Sequence, residues 1–209
     1  VTDFNAVIDA WDADGATGGH RIHPLGPDSP EFWALGEQQA QHVRQYTPNG
    51  ATVLDFGAGI GRLAIPLAKM PFTKVFAVDS STHMLDGLAE RAAAAGVSTG
   101  ILHIVHSHGP GLAAITGEAT VDTVVSRAVL IHHDYESVEA IVSVLAAVLK
   151  PGGHLIADWP TGEPTERADW IGVTRWHPHH RLAVARLAGL EPVDTAAEPS
   201  VWRKIEGDA

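Results

Sequence analysis

Residues 52–62 read TVLDFGAGIGR, and this stretch constrains the chain more than any other. An apolar, β-branched run ends on Asp55 and is followed by glycines at alternate positions, Gly57, Gly59 and Gly61. Glycine supplies strand-to-helix turn conformations that a Cβ forbids, and it lets a ligand touch the main chain. A helix beginning near residue 61 would add free N–H groups and partial positive charge. A P-loop would need Lys-Ser or Lys-Thr after its last glycine, whereas Gly61 is followed by Arg62-Leu63. A dinucleotide fingerprint, G-x-G-x-x-G, would place the third glycine one residue later. The remaining reading is a bare backbone cradle. Asp55 stands beside it to meet a ligand's positive end, and Asp79, at the end of the next apolar run, accepts from ribose hydroxyls.

Beyond the loop the pattern alternates. KVFAVDSS predicts a strand ending at Asp79, THMLDGLAERAAAAG a helix stopped by Gly96, GILHIVHS a third strand and VDTVVSRAVL a fourth. DYESVEAIVSVLAAVLK predicts a helix with Val138, Ile141, Val142, Leu145, Val148 and Leu149 on one side, and PGGHLIADWP a turn into a fifth strand. A helix over HHRLAVARLAG and two closing strands, LEPVDTA and SVWRKIE, form an antiparallel ending. Ser29-Pro30 starts a helix before the first strand, and ATGGHRIHPLGPDSP, rich in Gly, Pro and polar residues, reads as a long loop. Continuous apolar strands alternating with helices call for a doubly wound α/β sheet, which binds ligands beyond the carboxyl ends of its strands.

At this point the chain resembles the class I S-adenosylmethionine-dependent methyltransferases. VLDFGAGIGRL looks like that family's first motif, VFAVDSSTHML like its second, VDTVVSRAVLIHH like the fourth-strand region and VLKPGGHLI like the turn into strand five. The resemblance implies a seven-stranded, mostly parallel sheet of order 3-2-1-4-5-7-6 with helices on both faces. It implies one methyltransferase domain over 1–209, with 1–50 as an N-terminal lid or helix extension and 51–209 as the cofactor-binding core. S-adenosyl-L-methionine is the implied cofactor. Gly57, Ala58, Gly59 and Gly61 would cradle its methionine part, with Asp55 orienting the loop or the amino group. Asp79 would hold the ribose beside Ser80, and Met84 would lie on the adenine face. Ser126 and Arg127 would line the methyl region. Many relatives carry an Asp after strand three for the adenine amino group. Here HSHG stands there, so Ser107, His108 or a backbone carbonyl substitutes.

The sharpest catalytic candidates are His132 and His133 in IHHD, after strand four, where an acceptor should lie. Methyl transfer needs mainly alignment and exclusion of water. A base helps where the acceptor is a hydroxyl or a protonated amine, and His is the usual residue. The structural alternative has Asp134 capping the next helix and both histidines lining a loop. Structural alternatives stand beside other residues too: Asp79 as a helix cap, Met84 as core, and His20 and His23 as surface histidines rather than parts of a cover. Trp159, Trp170 and Trp176 would stack on a flat acceptor or anchor an irregular lid over 160–178. His179 and His180 in WHPHHR lack an evident carboxylate partner, so no metal is expected.

Acidic residues number 25 against 14 Lys plus Arg, a formal charge of −11, and no dense basic run appears, which opposes nucleic acid as a partner. The segment after strand four also lacks the Asn/Asp-Pro-Pro-aromatic motif of base-methylating relatives. There are no cysteines, which excludes disulfides and methylation through a cysteine adduct. No apolar run of about 18 residues or more predicts a membrane span, and the first residues lack signal-peptide character, so a cytoplasmic protein is expected. The expected activity is methyl transfer to a small-molecule O or N acceptor, with no membrane partner and the oligomeric state unassigned. Protein or nucleic-acid methylation is one alternative, and a non-catalytic cofactor-binding scaffold is another.

Overall fold

The computed structural model describes residues 4–18, 24–109, 111–165 and 172–206. Seven strands form one sheet in the order β3-β2-β1-β4-β5-β7-β6, the order implied above. The chain divides into two compact units, one running Ile8–His108 and the other comprising the C-terminal half from Gly109 with the first residues of the chain.

In the Ile8–His108 unit, β1 (Thr52–Phe56), β2 (Lys74–Asp79) and β3 (Leu102–His106) pair in parallel, with Asp55 opposite Ala77 and Asp79 opposite His106. The Val, Leu, Phe and Ala side chains of β1 and β2 are buried, as expected of strands covered on both faces, whereas the edge strand β3 buries Leu102 and leaves Ile104 exposed. Helix α1 (Phe4–Ala16) was not legible as a helix in the sequence, although Val7, Ile8 and Trp11 carry the i, i+1, i+4 spacing of one face. Helix α2 (Pro30–Gln45) starts as expected, with Ser29 accepting the Phe32 N–H at 3.3 Å. It crosses the end of the glycine loop closely, because a Cβ on Gly36 would stand 2.1 Å from the Arg62 carbonyl oxygen. Arg62, the residue that spoils a P-loop, instead lies with its guanidinium 5.0 Å from the centre of the Phe32 ring.

The expected helix over about 61–69 is only α3, Ala64–Ala68. Gly61 has φ +92° and cannot belong to a right-handed helix, so the chain turns through 61–63 first. A five-residue helix carries little macrodipole, and the cradle therefore rests on loop N–H groups and a carboxylate. Helix α4 (Thr82–Ala94) is capped by Ser81, which accepts the Met84 N–H at 3.1 Å, so Asp79 is not the cap.

In the other unit, α5 (Leu112–Thr116) leads to β4 (Val121–Ser126), α6 (Tyr135–Val148) and β5 (Leu149–Ala157), the last parallel to β4. Helix α7 (Pro178–Leu187) then precedes the antiparallel pair β6 (Leu190–Asp194) and β7 (Ser200–Lys204), with β7 also antiparallel to β5. Trp159, Trp176 and Trp202 are fully buried, with ring centres 5.5 Å and 5.6 Å apart around Trp159. Behind them Arg181 pairs with Glu198 at 2.9 Å and donates to the carbonyls of Trp159 and Thr195. Burial pushes the Glu198 carboxyl up and the Arg181 guanidinium down, each opposed by the other's charge. With these bonds made the buried pair is satisfied rather than stranded.

Candidate functional site

The candidate residues fall into two groups, one in each compact unit. In the first, the N–H groups of Gly57 and Ala58 both donate to the Val78 carbonyl, at 2.8 and 3.0 Å, which folds the loop back over the end of β2. Gly57 and Gly59 have φ +79° and +53°, conformations that favour glycine. The glycines differ in what surrounds them. Among the described residues a Cβ on Gly59 would meet nothing within 4 Å, whereas one on Gly61 would stand 2.9 Å from both Ile65 Cδ1 and Leu88 Cγ. Gly61 thus lets α3 and α4 close together, and Gly59 leaves open space over the main chain.

Asp79 organises this loop. Its Oδ2 accepts the Gly59 N–H at 2.8 Å and its Oδ1 the Ser81 N–H at 2.9 Å. A carboxylate offers about four acceptor positions, so acceptor capacity remains beyond the N–H groups of Gly59, Ser81 and Ser80. Burial raises the Asp79 pKa, opposed by the N–H groups of Ser81, Gly59 and Ser80 and by His106. Ser80 lies alongside, half-buried, and its carbonyl accepts from His106 Nε2 at 3.0 Å. Asp55 is 2% exposed within β1. Ser107 is buried, its N–H donating to the Asp79 carbonyl at 2.9 Å, and His108 is exposed. Met84 is 2% exposed in a cluster with Phe32 and Ile60, against which Trp11 and Trp33 pack.

In the second group, Ser126 closes β4 with its hydroxyl fully buried and without a hydrogen-bond partner among the described residues. Arg127 and Ala128 are held by Asp158, just past β5: its Oδ2 accepts from Arg127 Nε at 3.0 Å and from the Ala128 N–H at 2.7 Å. Ala128 has φ +56°, unusual for a residue with a Cβ, and the Asp158 bond keeps it there. The sequence reading missed Asp158, although a carboxylate at a strand end, like Asp55 and Asp79, was the available signal.

The turn after Ala128 carries the histidines. His132 Nδ1 lies 3.1 Å from the Gly172 carbonyl, which can only accept, so Nδ1 bears the proton and Nε2 is the basic nitrogen of the neutral ring. His133 is buried, and its carbonyl accepts from Thr174 Oγ1 at 2.7 Å. The Thr174 N–H donates to the Ile131 carbonyl and the Tyr135 hydroxyl to the Arg175 carbonyl, both at 2.8 Å, so segment 172–176 is stitched over the turn. Asp134 caps α6, accepting the Ser137 N–H at 2.9 Å. Trp159 and Trp176 are packing anchors, and Trp170, His20 and His23 lie outside the described residues. His177 accepts the His179 N–H at the start of α7, and His180 Nε2 lies 3.2 Å from Glu139. Among the described residues no three His, Cys, Asp or Glu side chains converge as a metal site, and no helix is long and apolar enough to cross a membrane.

Residues 53–153 match the family model described as a methyltransferase domain. No curated protein sequence matches the chain. Among solved structures, the chain is similar to magnesium protoporphyrin IX methyltransferase of Synechocystis PCC 6803 with bound SAH. The two share 19% identity at a TM-score of 0.71, over 95% of this chain and 99% of that one. It is also similar to the Burkholderia thailandensis 1,6-didemethyltoxoflavin-N1-methyltransferase, at 19% identity and a TM-score of 0.71 over 98% of this chain and 90% of that one. A third neighbour, the [4+2]-cyclase SpnF, shares 21% identity at a TM-score of 0.64, over 76% of this chain and 59% of that one.

Proposed function

We propose that the chain, whose residues 53–153 match a methyltransferase domain, is a class I S-adenosylmethionine-dependent methyltransferase, a cytoplasmic enzyme methylating a small-molecule O or N acceptor. The observation that carries the reading is the pairing of open space at Gly59, among the described residues, with an Asp79 carboxylate that keeps acceptor capacity for a hydroxyl. That is the shape and polarity a phosphate-free nucleoside with a cationic tail requires. Gly57, Ala58 and Gly59 hold the methionine part, with Asp55 orienting the loop. Asp79 and Ser80 hold the ribose, and Ser107 or His108 meets the adenine amino group. The buried, unpartnered hydroxyl of Ser126 supports a place for it, with Arg127, at the methyl end.

S-adenosylmethionine supplies a methyl group already activated on a sulfonium. The protein therefore has to bind, orient and keep water out. A proton must still leave a hydroxyl or ammonium acceptor. His132, whose Nδ1 lies 3.1 Å from the Gly172 carbonyl, is the first candidate for that task and His133 the second. The small-molecule acceptor is supported by the charge of −11 and by two structural neighbours named for the methylation of small molecules. A neighbour named as a cyclase shows why the acceptor side needs its own test.

The test has two stages. Calorimetric titration with S-adenosylhomocysteine should give a one-to-one complex. Incubation with methyl-labelled S-adenosylmethionine and a panel of aromatic hydroxy and amino compounds should then label a small molecule. Label appearing only on added protein or RNA would overturn the acceptor class. His132→Ala and His133→Ala should lower turnover more than cofactor affinity if either is the base, and full activity in both would remove them from the mechanism.

A further inference from the structure

Helix α1 contributes no strand to the sheet, yet it is fastened to the turn that follows β2. Asp12 Oδ1 accepts from Ser81 Oγ at 2.7 Å and lies 3.1 Å from His83 Nδ1. Gly15 brings the helix backbone so near that a Cβ there would stand 2.8 Å from Ser81 Oγ and 3.2 Å from Met84 Cγ. Between them Trp11 packs against the cluster of Phe32, Ile60 and Met84. The bond from Ser81 and those from His83 hold the Asp12 carboxyl below its ordinary range.

Ser81 sits at a junction. Its hydroxyl is fully buried and has a single proton, which goes to Asp12, while a lone pair takes the Met84 N–H. Its own backbone N–H goes to Asp79 Oδ1, and the other oxygen of Asp79 takes the Gly59 N–H. An unbroken chain of contacts therefore links Asp12, Ser81, Asp79 and Gly59. Removing Asp12 strands a buried donor, and a stranded donor is costly enough to make the hydroxyl turn and slacken the cap.

We propose that Asp12 is a positioning residue for the cofactor: by seating α1 on Ser81 it holds the turn 79–81 in the form that presents Asp79 to the ribose, so that docking of α1 and cofactor binding reinforce each other. The proposal rests on the assignment of the cradle to S-adenosylmethionine. Linkage makes the effect reciprocal, so a ligand that gains affinity from a docked helix protects that helix by the same factor.

The experiment titrates S-adenosylhomocysteine into the full chain and its variants, with amide hydrogen exchange of residues 4–16 measured in parallel. Asp12→Ala should weaken binding by about 5- to 30-fold. Asp12→Asn, which keeps an acceptor oxygen for Ser81, should stay within about threefold of the parent, since the hydrogen bond survives. Gly15→Leu removes no hydrogen-bonding group but pushes α1 off Ser81, and should weaken binding as Asp12→Ala does. The ligand should slow exchange in 4–16 in the parent and fail to do so in Asp12→Ala, a difference that general destabilisation would not produce. If the parent does not bind S-adenosylhomocysteine, the cofactor assignment falls and the proposal with it. If the parent binds while Asp12→Ala or Gly15→Leu stays within about twofold, or if the ligand protects 4–16 equally in Asp12→Ala, the proposal alone falls.

Discussion

The glycine loop after β1 and the turn after β4 solve related problems with different materials. The first is built from main chain: glycines at positive φ, N–H groups folded onto the Val78 carbonyl, and one carboxylate that closes the loop. The second is built from side chains: Asp158 pins Arg127 and the strained Ala128, while Thr174 and Tyr135 fasten the strap at 172–176 over the histidines. A cradle of main chain depends on a few glycines at positive φ and one carboxylate, whereas a turn held by side chains can be altered one clamp at a time.

The largest expected effect tests the first region. Gly59→Val should weaken S-adenosylhomocysteine binding by about 100-fold or more, roughly 2.7 kcal/mol, measured by calorimetry. The circular dichroism spectrum should stay that of the parent, since a Cβ at Gly59 meets no atom of the described residues and the strain of a side chain at φ +53° is local to the loop. Tight binding by this variant would reduce the loop to a turn. Asp79→Ala comes next, with affinity lowered roughly 10- to 100-fold, as charge-assisted hydrogen bonds of about 1.5–3 kcal/mol predict. The same carboxylate gives a pH test. Its ionised form is the better acceptor, and burial lifts its pKa above the ordinary 3.8, so affinity should fall on acidification at a higher pH than an ordinary carboxylate would show. A profile flat through the acidic range would show that Asp79 is not a ligand contact.

Smaller effects probe the second region. Asp158→Ala removes the acceptor of two donors and should lower stability in urea by about 1–3 kcal/mol while leaving S-adenosylhomocysteine affinity within about twofold. A matching loss of affinity would erase the contrast between the regions. Ala128→Gly should be the mildest change. It relieves a left-handed alanine but frees the unfolded chain, so stability should rise by about 1 kcal/mol or less. A clear loss would mean that the Ala128 methyl packs in a way the φ angle alone does not reveal.

The same contrast explains what could be read from sequence. Gly57 and Gly59 announce themselves because few other residues adopt their φ values, and Asp79 stands at a strand end whose apolar run is plain. The Ser29 cap and the Asp134 cap were legible for the same local reason, whereas the strand order followed from the family resemblance alone. Gly61 looked like its neighbours and is set apart only by Ile65 and Leu88 crowding it in space. The ties between Arg127 and Asp158, Thr174 and His133, and Asp12 and Ser81 join residues 31, 41 and 69 positions apart, and no local pattern signals them. Helix α1 stayed hidden because its short apolar face runs into a segment rich in Gly and Pro.

Asp79 binds its own loop with the group assigned to greet the visitor. The floor of the cradle is thus held by the protein's own hydrogen bonds, so little entropy of loop ordering is left to oppose capture.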